Sequence, residues 1–223
     1  MVTFEQIAKS EEIQTYIRHG NDLLGAMGYT EHSLIHASRT SKRAGDILET
    51  LGYAPREIEL ARIAGMMHDI GNMVNRQEHA QIGAVLAFNI LTRMGMAPDE
   101  TATVVSAIGN HDEGAGGSVN DTAAALILAD KSDVRRSRVR NSNNANAMPS
   151  FDIHDRVNYA VEDTTLSCDT EKKIIVLEMN IDTEICAVMD YFEIFLGRMM
   201  MCRRAADFFD MKFELIINRA RLI

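Results

Sequence analysis

The sequence has 223 residues, enough for one large domain or for a domain of about 150 residues with a small appendage. Hydrophobic residues make up 46% of it and charged residues 25%, a composition that excludes a disordered chain. The net charge of −9 disfavours general nucleic-acid binding, because that function needs a basic surface. A membrane span needs an apolar run of about 20 residues, and none is present.

The N-terminal residues and the cysteines indicate the compartment. The first residues lack the basic and apolar regions of a signal peptide. Cys168, Cys186 and Cys202 are odd in number and are not spaced as C-x-x-C, which disfavours a disulfide framework or a zinc-thiolate site. We therefore expect a cytoplasmic protein with reduced cysteines, for which neither a membrane nor a nucleic acid is a partner.

A succession of helices with short connections is predicted before about residue 135. Thr3 is a candidate N-cap for the first helix, Gly52 a C-terminal glycine for the second, and Pro55 the first residue of the third. Apolar periodicity and these end signals predict helices over residues 3–18, 30–52, 55–69, 77–94, 98–108 and 121–133. No strand candidate precedes about residue 160, so this part is expected to be all-α.

The pattern changes after the sixth helix. Residues 136–150 are basic and then rich in asparagine, which predicts a loop, and a short helix is expected around 152–161. Strands are predicted over residues 164–169, 172–181 and 213–217, with a long helix from 182 or 183 to 209 before the last. The fold class is thus mainly α: a helical bundle in residues 1–150, followed by a small α+β (ββαβ) subdomain in 151–223, most simply with an antiparallel sheet.

Six histidines and aspartates stand out, in the order His…His-Asp…His…His…Asp. They are His36, His68, Asp69, His79, His111 and Asp130. Neutral imidazoles and carboxylates suit divalent iron, manganese, zinc, cobalt or magnesium. Six candidate ligands are too many for one zinc ion but suit two metals that share a carboxylate.

This constellation resembles the HD-domain superfamily of metal-dependent phosphohydrolases, over about residues 30–135. The segments His79–Ala84, Ala107–His111 and Leu128–Lys131 resemble that family's "H-x-x-x-G-A", "A-I-x-x-H" and "L-A-D-K" motifs. They are most similar to the bacterial group typified by diadenosine tetraphosphate hydrolases with binuclear iron-type centres. Asn72 stands where that group often has lysine.

The resemblance implies a ligand set for two metals. His36, His68, Asp69 and Asp130 would hold the first, and His79 and His111, with Asp69 as a bridge, the second. Iron and manganese are favoured. The implied fold is a helical bundle around this centre.

The resemblance and the ligand set together indicate a metal-dependent phosphohydrolase. We expect hydrolysis of a phosphoester or phosphoanhydride of a nucleotide or dinucleotide by a metal-bound water. Asp69 and Asp112 are candidate catalytic residues, the latter by orienting the water. Lys131 is a candidate for both catalysis and substrate binding. Arg39, Arg135 and Arg136 are candidate phosphate ligands.

Two other functions fit the same residues. One is a diiron oxygenase on the HD scaffold, which dependence on redox-active iron and O₂ would reveal. The other is a nucleotide-sensing binding protein, in which the ββαβ unit relays a signal. The apolar helix 183–209 is also a candidate interface for a homodimer.

Overall fold

A computed structural model describes residues 1–114, 116–140 and 153–222. In these ranges the chain forms eight α-helices up to residue 160 and then a four-stranded sheet, with a ninth helix between the second and third strands. The helices are α1 Phe4–Lys9, α2 Glu11–Ala26, α3 Leu34–Thr50, α4 Pro55–Met67, α5 His79–Arg93, α6 Pro98–Gly109, α7 Asp121–Lys131, α8 Ile153–Ala160 and α9 Val188–Phe208. The strands are β1 Val161–Asp169, β2 Ile174–Ile181, β3 Lys212–Ile217 and β4 Ala220–Arg221. The predicted class, mainly α with a small α+β unit, is confirmed.

The N-terminal helices differ from the prediction in their boundaries. Thr3 is an N-cap as expected, but Ser10 has extended ψ and its Oγ accepts the Ile13 N–H, so two helices replace the predicted helix 3–18. The second continues to Ala26, beyond the predicted end. The next helix begins after Ser33 rather than at Thr30, because Ser33 is the residue that caps it. Gly52 follows this helix with φ +82°, the left-handed conformation expected of a C-terminal glycine.

The later helix ends follow the sequence closely. Pro55 is the first residue of α4, and the backbone N–H of Ala54 donates to the Glu57 carboxylate at 2.9 Å. Asn120, rather than Asp121, caps α7, since its Oδ1 accepts the Ala123 N–H at 2.8 Å. The predicted loop 136–150 begins with a short 3-10 turn, Arg136–Arg138, and its residues 141–150 lie outside the described part of the chain.

The sheet has the order β1-β2-β3-β4, and the prediction that it is antiparallel throughout is wrong. β1 and β2 pair antiparallel, but β2 and β3 pair parallel, with Leu177 opposite Leu215. The 21-residue helix α9 lies between these two strands and carries the chain back to the starting end of the sheet, as parallel pairing requires. β4, an unpredicted strand of two residues, pairs antiparallel with β3.

One hydrophobic core joins the sheet to the helical part. Every residue from Ala123 to Ala129 is buried, so α7 is apolar on all sides and needs neighbours on all sides. The helices α3, α4, α6 and α9 all pack on it. The C-terminal unit therefore completes the environment of α7, which carries Asp130. The predicted boundary between residues 150 and 151 lies outside the described residues and stays a prediction.

The long helix α9 is mostly a core element. Its buried residues, which include Tyr191, Phe195 and Met199, face the sheet and α7. The homodimer predicted from its apolar sequence stays a prediction. Within the described residues, no helix is both long and apolar enough to cross a membrane.

Candidate metal centre

The His68-Asp69 pair lies where α4 ends and the chain tightens into a 3-10 turn, Ile70–Met73. Gly71 in this turn lies directly against the start of α5, because a Cβ there would be 2.0 Å from the His79 carbonyl oxygen. This close approach brings His79 next to Asp69, with 3.5 Å between His79 Nε2 and Asp69 Oδ1. Asn72 steadies the carboxylate, since its Nδ2 donates to Asp69 Oδ1 at 2.8 Å.

Helices α3, α4 and α7 bring the first set of ligands together. His36 Nε2 lies 3.2 Å from Asp130 Oδ1 and 3.6 Å from Asp69 Oδ2. His68 Nε2 lies 3.3 Å from Asp69 Oδ2 and 3.6 Å from Asp130 Oδ1. Ligand atoms of His36, His68 and Asp130 are all within 4.8 Å of one another, a spacing that one metal ion can bridge.

His79 and His111 form the second side of the centre. Their Nε2 atoms are 3.2 Å apart, and the rings of His68 and His111 meet edge to face with centroids 5.0 Å apart. His68, Asp69 and His111 also offer ligand atoms within 4.8 Å of one another. The six residues predicted as ligands are therefore all brought together, although which of them bind metal stays a prediction.

The histidines are held so that Nε2 faces the centre. The Nδ1 atoms of His68, His79 and His111 each bond the backbone carbonyl three residues earlier, at 2.8, 3.0 and 2.6 Å. Nδ1 of His36 bonds Asp133 Oδ2 instead, at 2.8 Å. A carbonyl or carboxylate at Nδ1 requires a proton there, so each neutral imidazole has its lone pair on Nε2.

Three of the converging atoms are left without a partner. His36 Nε2, His68 Nε2 and Asp69 Oδ2 are buried, and within the described residues none of them has a hydrogen-bond partner. Buried polar groups are normally paired, because leaving one unpaired costs about 1–3 kcal/mol. A divalent metal would satisfy all three at once, so the residues fit the metal that their types predict.

The electrostatics of the centre also favour a cation. Burial disfavours a charged carboxylate, but His68 and its neighbours hold the pKa of Asp69 well below its usual range, and Lys131 and His36 do the same for Asp130. Burial also disfavours a charged imidazole, but the two carboxylates raise the pKa of His68 to about 10. A metal would supply the positive charge that these carboxylates attract, and its binding would release the proton of His68.

His79 and His111 are held neutral. Burial, only partly offset by Asp69, lowers the pKa of His79. Burial and the neighbouring His68 lower the pKa of His111 to about 3. Neutral imidazoles with a free Nε2 lone pair are the form that binds metal.

A buried lysine borders the centre. Lys131 Nζ lies 2.9 Å from Asp130 Oδ2, 3.4 Å from Glu113 and 3.9 Å from Asp112. Burial works against its charge, but Asp130 and Glu113 outweigh burial and raise the pKa of Lys131. Asp112, predicted to orient a water, therefore lies on the Lys131 side of the centre, a third exposed. Its catalytic role and that of Lys131 stay predictions.

The three arginines predicted to contact phosphate all have protein partners. Arg39 pairs with Asp133 and with Asp163, at 3.1 and 2.7 Å. Arg135 is buried beside Asp133 at 3.2 Å, and Arg136 donates to the Tyr159 carbonyl at 2.7 Å. Arg39 and Arg135 therefore support the Asp133 carboxylate behind His36, whereas Arg136 ties the chain to α8. The predicted contact of these three arginines with phosphate stays a prediction.

Other residues at the centre were not predicted. A hollow of about 10 Å³ lies among the ligands, about the space of one ion or water. His32 lines this polar hollow, as do Arg76, Arg138 and Arg198. Asp133, three residues after Asp130, could have been found from its spacing at the end of the same helix. Arg198 has no local signal in the sequence.

Comparisons with known proteins indicate the family of this chain. A model of the HD domain matches residues 33–193, more than two thirds of the chain. An uncharacterized protein of Methanocaldococcus jannaschii is 26% identical over 159 residues, covering 61% of each chain. Ribonuclease Y of Deinococcus radiodurans is 33% identical over 125 residues, covering 51% of this chain and 20% of that protein.

One solved structure is also similar. It is a predicted HD superfamily hydrolase from an uncultured Thermotogales bacterium, with 26% identity, a TM-score of 0.43, and coverage of 54% of this chain and 66% of that one. The chain thus spans less than two thirds of the first relative and about a fifth of the ribonuclease. The family match includes all six converging histidines and aspartates, and this chain belongs to the HD-domain family.

Proposed function

We propose that the chain is a metal-dependent phosphohydrolase that acts on a phosphoester or phosphoanhydride bond of a nucleotide or dinucleotide. One observation carries this proposal: four histidines and two aspartates converge, with three buried ligand atoms left unpaired within the described residues. Membership of the HD-domain family supports it, because members are generally metal-dependent phosphohydrolases. The narrower resemblance to diadenosine tetraphosphate hydrolases stays a prediction.

His36, His68, Asp69 and Asp130 would hold the first metal, and His79 and His111, with Asp69 shared, would hold a second. Bound metal lowers the pKa of water towards neutrality and neutralises phosphate oxygens. Iron or manganese is the metal we expect, as in the family group that the sequence resembles. The Nδ1 bonds of the four histidines keep the ligands in place for it.

The protein's own groups bind and orient the substrate. Lys131 keeps its proton and can bind a phosphate oxygen through Nζ, since it is buried yet remains charged. The carboxylate of Asp112, a few ångströms away, has a lowered pKa despite partial burial, because Lys131 stabilises its charge. An ionised Asp112 can accept a hydrogen bond from the attacking water and so orient it.

RNA is a second candidate substrate. The similarity to Ribonuclease Y favours a phosphodiester of RNA, and the hydrolytic chemistry would be the same. The net charge of −9 favours a small substrate instead, because RNA binding usually relies on a basic surface. A diiron oxygenase would use the same ligands and remains the alternative from another reaction class.

The first experiment is to measure the metal content of protein purified without added metal, and then phosphate release. Nucleotides, dinucleotides and a hexanucleotide RNA should be assayed in parallel, with and without O₂. We expect metal in the protein, O₂-independent release from a nucleotide or dinucleotide, and loss of release on chelation. Cleavage of RNA alone would favour the second candidate, and O₂-dependent oxidation without phosphate release would overturn the proposal.

His79→Ala tests the number of metals. If His79 belongs to a second site, the variant should lose about one metal of two per chain and keep the other, because the first set of ligands is intact. A metal content unchanged from the parent protein would refute the two-metal assignment. Exposed His19, on α2, provides the matched control His19→Ala.

A further inference from the structure

A cavity of about 340 Å³ lies beside the polar hollow. The two share four lining residues, His32, Arg76, Arg138 and Arg198, so the cavity leads directly to the metal centre. Its volume is within the range of small-molecule sites, about 300–1,000 Å³. None of the roles proposed above uses this cavity.

Arg198 reaches the junction from the C-terminal unit. It is on α9, beyond the segment that matches the family, so family membership assigns it no role. Its guanidinium lies 4.3 Å from the centroid of the Phe195 ring, and Nε bonds Glu113 at 2.9 Å. Glu113 also contacts Lys131, so Arg198 and the lysine at the metal centre are linked through one carboxylate.

Two more arginines lie at the same junction. Arg138 is only 4% exposed, with Nε bonded to the Glu31 carbonyl and one terminal nitrogen to the Asp133 carbonyl. Burial lowers the pKa of Arg138, and repulsion from Arg198 adds to this although Asp133 opposes it. Arg76 donates to His79 Nε2 at 3.2 Å, next to the ligands. Several guanidinium groups close together and shielded from solvent repel one another, and a bound anion relieves this repulsion. The fork geometry of a guanidinium suits phosphate.

The far end of the cavity has a different character. Met27 and Tyr29 provide exposed apolar and aromatic surface, and Asn158 and His154 provide polar edges. Aromatic surface with a few polar groups suits a ring that carries hydrogen-bonding atoms. Cationic and aromatic ends in one cavity match a molecule with a phosphate at one end and a flat ring at the other.

We infer that the cavity binds a single nucleoside phosphate, with its phosphate at Arg76, Arg138 and Arg198 and its base against Tyr29. The phosphorus would then face the metal centre. Arg198 thereby makes the C-terminal unit part of the substrate site. The proposed substrate is thereby narrowed to a mononucleotide rather than a longer RNA. Binding of this ligand does not depend on the proposed function, and only its hydrolysis rests on that function.

The test is equilibrium binding of a nucleoside 5′-phosphonate, which resists hydrolysis, compared with inorganic phosphate and a hexanucleotide RNA. Titration calorimetry on the full chain, as purified, gives each Kd. We expect the phosphonate to bind at least about tenfold more tightly than phosphate, because it also fills the cavity. Binding requires no turnover, so the measured Kd values can be interpreted even if the hydrolysis screen detects no activity.

Two variants separate the ends of the ligand. Arg198→Ala should weaken both phosphonate and inorganic phosphate about tenfold or more, with metal content unchanged. Tyr29→Ala should weaken the phosphonate several-fold and leave phosphate unchanged. Arg203→Ala, an exposed arginine on the same helix, is the matched control and should change neither. Circular dichroism should verify that each variant is folded.

Three outcomes would overturn the inference. Binding by Arg198→Ala equal to that of the parent protein would remove Arg198 from the site. Phosphonate binding no tighter than that of phosphate would mean that the cavity does not hold the nucleoside. Preferential binding of the hexanucleotide would assign the junction to an RNA strand.

Discussion

The metal centre and the cavity beside it are built in different ways. Three of the four inward histidines are anchored by the carbonyl three residues before them, within one turn of their own backbone. The cavity is lined by segments far apart in the chain, from the α2–α3 connection, α8 and α9. Locally anchored ligands need little from the rest of the fold to be oriented correctly. The cavity exists only once the C-terminal unit has packed onto α7.

His36 is the exception within the centre. Its Nδ1 is held by Asp133, 97 positions later in the chain, rather than by its own helix. Asp133 is fully buried and also binds Arg39 and Arg135. The fourth histidine therefore depends on tertiary structure in the way that the cavity does. The following changes test this division between local and long-range support.

The largest effect is expected from Asp69→Asn. The variant keeps the shape of the side chain but removes the charge shared by both ligand sets. Metal catalysis contributes several kcal/mol, so kcat should fall about a thousandfold or more, with metal content reduced. Metal analysis and the phosphate-release assay measure both. Asp22→Asn, on the exposed side of α2, should keep full activity; turnover by Asp69→Asn at the parent rate would refute the mechanism.

Gly71→Ala should destabilise the fold by about 2–4 kcal/mol. The new Cβ would lie 2.0 Å from the His79 carbonyl oxygen and 2.6 Å from the Gly83 nitrogen, both of them backbone atoms that cannot move aside freely. The matched control is Gly197→Ala on α9, where a Cβ meets no atom of the described residues within 4 Å. That change should stabilise the chain by up to about 1 kcal/mol. Denaturant unfolding measures both, and equal effects would refute the proposed close approach.

Asp133→Asn tests the long-range support of His36. An amide is a weaker acceptor for the His36 Nδ1–H than a carboxylate, so metal affinity should fall about 10- to 100-fold. Competition with a chromophoric chelator gives the affinity. Asp163→Asn removes only the charge of the exposed partner of Arg39 and should leave the metal affinity unchanged. Unchanged affinity in Asp133→Asn would show that His36 is oriented without its distant partner.

The smallest effect on stability is expected far from both regions, at the ion pair between Arg56 and Glu100. A terminal guanidinium nitrogen of Arg56 lies 2.5 Å from Glu100 Oε2. Hydrogen bonds from Arg56 hold the pKa of Glu100 below its ordinary value of 4.5. A carboxylate with a lowered pKa stabilises the fold above its unfolded-state pKa, and this contribution is lost as the pH falls through the folded-state pKa. Glu100→Gln should therefore cost about 1–2 kcal/mol at pH 7 and progressively less below about pH 4.

Denaturant unfolding of both proteins across pH 3–8 measures this difference. Metal affinity and kcat at pH 7 should not change, because Glu100 is on α6 at the end away from His111. A stability difference independent of pH would mean that the charge of Glu100 contributes nothing to the fold.

Local signals in the sequence were sufficient for most of the helical part and for the histidines and aspartates that converge. Caps such as Thr3, the first-turn Pro55 and the C-terminal Gly52 act within one helical turn, so short patterns reveal them. The histidines and aspartates of the centre also stand in short motifs at helix ends. Where two local caps competed, as with Ser10 and Ser33, the predicted boundaries were wrong by several residues or missed a break.

Long-range packing decided the rest. The parallel pairing of β2 with β3 follows from the path of α9 back across the sheet, which no strand pattern contains. The bond between His36 and Asp133 and the position of Arg198 beside Glu113 join residues about 85 to 97 positions apart. Such contacts depend on how whole elements pack on α7, and the local sequence around a residue does not indicate its distant neighbours. The sequence by itself therefore identified the family and the histidines and aspartates that converge, and only the tertiary structure determined the cavity beside them.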